Sequence, residues 1–225
     1  MVRVLGVDVA KKYWVAVASD LRVYADPTLA GLLEAADADG PVEVIGIDIP
    51  IGMPDGAGYR QADVAARAVV GPRWPSVFMT PPRAALEAGS YAAALETARR
   101  VAGRGLSRQA WALGPRILEV DQVVRSVDRR IVEVHPELSF ATLAGRHLPA
   151  PKSTWAGLED RRALLAEVGL APPADVGRPG YVAGADDVLD AAVACWTARR
   201  VADGTAEGHP DPPEQLDGIA ACIRA

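Results

Sequence analysis

Two apolar runs of this 225-residue chain each carry an aspartate near their end: Asp8 in Arg3-Val4-Leu5-Gly6-Val7-Asp8-Val9, and Asp48 in Val42-Glu43-Val44-Ile45-Gly46-Ile47-Asp48-Ile49. A carboxylate in an apolar layer needs a partner, a metal or a raised pKa, because burying it bare is costly. Three more acids, Asp186, Asp187 and Asp190, stand at the head of a helical pattern running from Ala185 to Ala198. Acids in a first helical turn are favourable at the positive end of the helix, and that alone accounts for Asp186 and Asp187. Asp190 lies one turn further in, at i+3 or i+4 from the other two, and like charges so placed destabilise unless a cation is held between them. Clustered acids of this kind suggest a metal. Glu133, inside Arg130-Ile131-Val132-Glu133-Val134-His135, adds a carboxylate within a strand-like run. His135 alternates onto the same face, where a helix-start histidine bonded to the backbone accounts for it as well as a catalytic one.

The elements that must position these side chains follow from the pattern. Only Ala10, Lys11 and Lys12 separate the first run from Tyr13 to Ala18, which predicts an antiparallel hairpin, with Leu21 to Tyr24 as a third strand. Asp26-Pro27 reads as N-cap and first residue of a helix bearing Leu29, Leu32, Leu33 and Ala36 on one face and ending near Gly40. Strand, crossover helix and second buried strand predict a parallel pair. Gly6-Val7-Asp8 echoes Gly46-Ile47-Asp48, each glycine sharing a face with its aspartate and leaving room for something to approach there. With the strands side by side, both aspartates emerge at one edge.

Beyond Pro50 to Pro54 a helix is expected from Tyr59 to Val70, with Arg60, Asp63 and Arg67 close together in what an ion-paired surface stripe would also explain. Gly71 to Pro75 and Met79 to Arg83 are dense in proline and read as a stiff loop. Ser90 and Ser107 cap two further helices, and Pro115 starts one reaching Ser126. The stretch holds Arg99, Arg100, Arg104, Arg108, Arg116 and Arg125, followed by Arg129 and Arg130; a phosphate-facing surface and an arginine-rich solvated face both fit. Pro136 opens a helix through Leu143, and Thr154 caps another that Gly169 closes.

Half of the residues are hydrophobic, enough for one large domain, or one domain with an insertion, covering 1–225. Cys195 and Cys222 give neither a metal spacing nor a disulfide framework. Neither a signal peptide nor a membrane-spanning run is legible, so the cytoplasm is the default location and no membrane partner is expected. A net charge of -5 counts against non-specific coating of duplex nucleic acid.

The hairpin-led start with Asp8, the second strand with Asp48 and the late helix with Asp187 and Asp190 resemble the RNase H-like superfamily, particularly its Holliday-junction resolvase branch. More narrowly, Ile47-Asp48-Ile49-Pro50-Ile51-Gly52, Arg60-Gln61-Ala62-Asp63 with Arg67, Val77-Phe78 with Pro82-Arg83, Glu133-Val134-His135-Pro136-Glu137 and Asp186-Asp187-Val188-Leu189-Asp190-Ala191 resemble an uncharacterised DUF family of predicted RNase H-like nucleases. The resemblance covers nearly the whole chain and is specific in combination. It implies an α/β RNase H-like fold, with a central mixed β-sheet flanked by helices and a mainly helical insertion at about 54–127. One departure stands out: the resolvase branch usually has glutamate where this chain has Asp48.

The implied activity is that of a metal-dependent nuclease with Asp8, Asp48, Glu133, Asp187 and Asp190 as its catalytic set. Two Mg²⁺ or Mn²⁺ ions roughly 3.5–4 Å apart serve such chemistry, one activating water and one stabilising the leaving oxygen. On the resemblance, Asp8 bridges the ions, Asp48 holds one, and Asp187 with Asp190 holds the other. Arg60, Arg67, Arg73 and Arg83 are then phosphate contacts. The expected partner is a nucleic acid of unspecified type, and a homodimer is left open. Two other classes compete. A non-catalytic nucleic-acid-binding or assembly factor could keep the fold and only some acids, whereas all four carboxylate positions persist here. An actin- or hexokinase-like phosphotransferase would need Gly and Ser/Thr in its phosphate loop, and Asp8-Val9-Ala10-Lys11 supplies neither.

Overall fold

The computed structural model describes residues 2–225. Along the chain run β1 (Val4–Ala10), β2 (Tyr13–Ala18), β3 (Val23–Asp26), α1 (Leu29–Asp37), β4 (Val44–Ile47), α2 (Gln61–Val69), α3 (Arg83–Leu86), α4 (Tyr91–Ala102), α5 (Arg108–Ala112) and α6 (Gly114–Ser126). There follow β5 (Arg130–Val134), α7 (Pro136–Ala144), α8 (Trp155–Glu167), α9 (Pro179–Val182), α10 (Ala185–Ala202), β6 (Gly208–Leu216) and β7 (Ile219–Arg224). The chain forms two compact units. One comprises residues 1–48, 128–207 and 224–225, the other 49–127 and 208–223.

In the first unit the strands lie in the order β3-β2-β1-β4-β5, with β1 at the centre. β2 pairs antiparallel with β1 and β3, while β4 runs parallel to β1 and β5. The expected α/β architecture, a mixed sheet flanked by helices, is present. Register sets the two glycine–aspartate motifs side by side: Gly6 pairs with Gly46 and Val7 with Ile47. The space those glycines leave is filled from within the chain by α10. A Cβ on Gly6 would lie 2.0 Å from both the Ala191 carbonyl oxygen and the Cys195 nitrogen, and one on Gly46 would lie 2.6 Å from the Ala194 carbonyl oxygen. The missing side chains therefore let a helix backbone rest directly on the sheet. This suits α10, whose Leu189, Ala191, Ala192, Val193, Cys195 and Ala198 are buried. Gly6→Ala is expected to cost about 3 kcal/mol or more, the upper range for overpacking, since backbone on both sides has to move. Urea denaturation of the variant measures this, and an unchanged midpoint would contradict the packing.

The second unit contains α2 to α6 with β6 and β7. Ala85, Ala94, Ala98 and Leu106 make a small apolar cluster among its helices. Ser90 and Ser107 cap α4 and α5 as expected, each hydroxyl accepting the N–H three residues on. Elsewhere the elements differ from expectation. Helix α1 is capped by Thr28, not Asp26; the Asp26 carboxylate accepts from the Thr28 N–H and hydroxyl, holding the cap itself in place. The proline-dense stretch from Gly71 to Ser76 is a 3₁₀ turn, which tolerates Pro72 and Pro75 because so few N–H donors are needed in so short a helix. Strands β6 and β7 are not among the expected elements; β6 is Gly-His-Pro-Asp-Pro-Pro-Glu-Gln-Leu, three of whose nine residues are proline, and β7 is the short apolar run Ile219 to Ile223 with Arg224. Among the described residues no helix is long and apolar enough to cross a membrane.

Candidate carboxylate site

The carboxylate site lies within the first unit, at the edge where β1 and β4 end together. The Asp48 N–H donates to the Val7 carbonyl at 3.0 Å, carrying the parallel pairing one step beyond β4 and fixing the two aspartates as neighbours. Asp8 is buried, with one carboxylate oxygen accepting the N–H of Val9. The close seat of α10 on Gly6 delivers Asp190, 1% exposed, to the same edge, because Asp190 immediately precedes the residue that touches Gly6. One packing decision, glycine opposite a helix backbone, thus sets both the fold and the proximity of acids from three elements.

The electrostatic consequence is strong. Burial, and then the charges of Asp48 and Asp190, push the Asp8 carboxyl well above its ordinary value, against the smaller pull of Lys152 and the Val9 N–H. Asp48 is pushed up to about 8, first by burial and then by Asp190, with Glu133 and Glu137 adding to the effect. Asp190 rises only to about 6, because Lys152 opposes its burial. Carboxylates this close in a desolvated edge favour a proton or a cation between them.

Lys152 is that cation's counterpart within the chain, and it had no place among the expected site residues. Its Nζ donates to Asp190 Oδ2 in a short ion pair. Burial acts to lower the ammonium pKa, but the charges of Asp190, Asp8 and Asp48 overcome it and raise it. The segment that carries Lys152 is clamped. The Pro151 carbonyl accepts from the Thr154 N–H and hydroxyl, the Ala150 carbonyl accepts from Arg161, and Gly157 sits where a Cβ would be 1.9 Å from the Pro151 oxygen. Arg161 is itself fully buried and paired with Glu137 at 2.7 Å. A signal for Lys152 exists in the sequence: only three of the chain's 24 Lys and Arg residues are lysines, and this one stands in a Pro-Ala-Pro-Lys run directly before a capped helix.

The other expected residues fall differently. Asp187 folds back on its own helix start, accepting the Gly184 N–H at 2.9 Å, so the capping reading accounts for its contact. Glu133 pairs in register with Ile47 and so lies on the opposite pleat face from Gly46 and Asp48; it acts on Asp48 as a neighbouring negative charge. His135 is the N-cap of α7, its Nδ1 accepting the Leu138 N–H. The four arginines lie in the second unit. Arg60 has no exposed surface with which to meet a phosphate: it donates to Asp63 and the Ile51 carbonyl, and Asp63 in turn accepts from the Thr80 N–H and hydroxyl. Arg67 donates to the Val77 carbonyl and lies over the Trp74 ring. Arg83 grips both oxygens of Asp121, which Arg125 also reaches. Arg73 is half-buried in the 3₁₀ turn. Much of the arginine excess is thus spent on internal pairs, while Arg99 and Arg100 are exposed.

Asp8 and Asp48 offer hard oxygen donors whose mutual repulsion a divalent ion would relieve, and their chemistry fits one such ion. Among the described residues no three His, Cys, Asp or Glu side chains stand together as a ready-made cage. Asp190 and Asp187, the expected ligands of a second ion, are engaged by Lys152 and by the Gly184 N–H. A family of proteins of unknown function, DUF429, has a model that matches residues 6–215, and the chain belongs to that family. Comparisons with curated proteins and with solved structures return no match.

Proposed function

We propose that this DUF429 protein is a divalent-cation-dependent nuclease that hydrolyses phosphodiester bonds of a nucleic acid on an RNase H-like arrangement of β1, β4 and α10. The observation that carries the reading is the convergence of Asp8, Asp48 and Asp190 at one buried edge, with all three carboxyls held above their ordinary range. A protein does not keep such repulsion for stability alone; perturbed acids gathered in this way are more often a functional site. Asp8 and Asp48 would hold a Mg²⁺ or Mn²⁺ ion. When bound, such an ion polarises a phosphoryl oxygen and lowers the pKa of water.

The chain's own residues do the rest. Val9 N–H orients the Asp8 carboxylate through its bond to Oδ1. Lys152 presents positive charge beside the acids, which would offset their repulsion of a phosphate. Glu137 and Arg161 keep the Ala150–Lys152 segment in place. The test is a cleavage screen over an RNA–DNA hybrid, a branched DNA, single strands and a mononucleotide, with Mg²⁺, Mn²⁺ or chelator. Cleavage of at least one polynucleotide, abolished by chelator, is the expected result. Binding of those substrates with no cleavage under any metal would replace this reading with the non-catalytic nucleic-acid-binding factor.

A further inference from the structure

The ammonium of Lys152 engages Asp190, the carboxylate that a second metal ion would need as its ligand, and on the reading of the site as a cation-dependent nuclease we propose that Lys152 is a resident cation: the site takes one divalent ion, on Asp8 and Asp48, while Lys152 on Asp190 replaces the second and meets a non-bridging oxygen of the scissile phosphate. Geometry carries this. Asp190 is among the most deeply buried acids of the first unit, yet its carboxylate is met by a flexible side chain that is itself 39% exposed, so the ammonium bridges the buried acid and the outside. An ion pair made only to satisfy a buried carboxylate has no need of an exposed cation.

The choice of residue points the same way. In a chain that uses arginine twenty-one times and lysine three, the position against Asp190 holds lysine. Arginine's planar fork suits pairing through two nitrogens at once, and it serves that purpose here at Arg60, whose Nη1 donates to Asp63 and whose Nη2 donates to the Ile51 carbonyl. A compact ammonium is a point charge with three donors, the nearest side-chain equivalent of a hard metal ion. One donor on Asp190 leaves two for a phosphate oxygen or a water. The clamp on the segment completes the case. Two proline residues, Pro149 and Pro151, flank Ala150, the Pro151 carbonyl is doubly bonded by Thr154, and Gly157 lets α8 begin in contact with that carbonyl. Arg161, fully buried, ties Ala150 to Glu137 of α7. So much fixed structure under one lysine is how a charge is held in a working position before substrate arrives.

The experiment is titration of the full chain with Mn²⁺ alone, read as stoichiometry by calorimetry, on wild type, Lys152→Met and Lys152→Met/Asp190→Asn. Wild type binds one ion. Lys152→Met frees Asp190 and binds two, and the double variant, which no longer has a charged Asp190, returns to one. Wild type binding two ions, or none, overturns the proposal, as does a folded Lys152→Met that still binds one. Where Lys152→Met fails to fold, the wild-type count decides on its own, because two ions on wild type cannot coexist with a lysine in the second place. Stoichiometry is independent of turnover. A single bound ion with no cleavage of any substrate would remove the nuclease reading and leave the lysine in place, whereas two ions with cleavage would do the reverse. In the cleavage assay Lys152→Met is expected to lose at least 100-fold, with Lys152→Arg recovering less than a tenth of that loss; full recovery by arginine would reduce the residue to a generic positive charge.

Discussion

Asp8→Asn is expected to abolish divalent-dependent cleavage, by on the order of 10²–10³-fold or more, while the metal-free protein melts at the same temperature or higher. The two halves of this result come from one cause. In the metal-free fold Asp8 is held well above its ordinary pKa by burial and by Asp48 and Asp190, so its charged form is disfavoured there. Asparagine keeps the size and the acceptor that Val9 N–H uses, and removes the charge. Repulsion with Asp48 and Asp190 falls, which leaves the fold unharmed or improves it. A divalent ion, in contrast, loses one of its two anionic oxygen donors. Melting without metal and cleavage with it are to be measured on the same preparation. A clear fall in melting temperature would mean that Asp8 is the acceptor of a buried ion pair whose partner has been stranded, and cleavage retained by the variant on any substrate would take Asp8 out of the mechanism.

How much of this could be read in the sequence depends on whether a feature is local. The echo of Gly6-Val7-Asp8 in Gly46-Ile47-Asp48 is local on each strand, and the parallel register of β1 and β4 sets the two motifs opposite one another as the pattern demands. Caps are local too, and Ser90, Ser107 and Thr154 cap their helices as expected. What occupies the space over the two glycines is not local. It is a helix backbone from about 185 residues further along, which no periodicity in the first strand can announce. Lys152 escaped for a related reason: the Pro-Ala-Pro-Lys run before Thr154 marks the turn, but the partner Asp190 is 38 residues away, and nothing local to the turn names it. For the arginines it is the destination of the side chain that spacing leaves open. Arg60, Asp63 and Arg67 have helical spacing suited to a surface stripe or a phosphate grip, but Asp63 is drawn inward by the Thr80 N–H and hydroxyl, and Arg60 follows it into the interior. Strand β6 was hidden by composition, since its three prolines argue against a central strand while leaving an edge strand open.

Without metal, wild-type stability is expected to fall as pH rises from about 4 through about 8, and Asp48→Asn to flatten that fall. Asp48 titrates near 8 in the folded chain, against an ordinary carboxyl value near 3.9 once unfolded. A folded-state pKa above the unfolded one means that the native state holds its proton more tightly. The associated stabilisation is complete below about pH 4 and is lost as the pH passes through the folded value, for a total on the order of a few kcal/mol. Asp190, near 6, adds a loss confined to the lower half of the same window. The groups facing Asp48 fix the sign: Asp190, Glu133 and Glu137 raise it beyond the effect of burial, and Lys152 alone among the named neighbours lowers it. In Asp48→Asn the side chain is neutral at every pH, so the variant should match wild type near pH 4 and exceed it increasingly up to pH 8–9. A divalent ion competes with protons for the ionised acids, so saturating Mg²⁺ should raise the wild-type melting temperature most at high pH, through a stabilisation of about 2.7 kcal/mol at a hundredfold excess over Kd, and leave Asp48→Asn little changed. The opposite slope, with chelated wild type gaining on the variant between pH 5 and 8, would show Asp48 held charged by an ion pair in the native state. An acid so satisfied would have no need of a metal, and the pairing of Asp8 with Asp48 as ligands would fail with it.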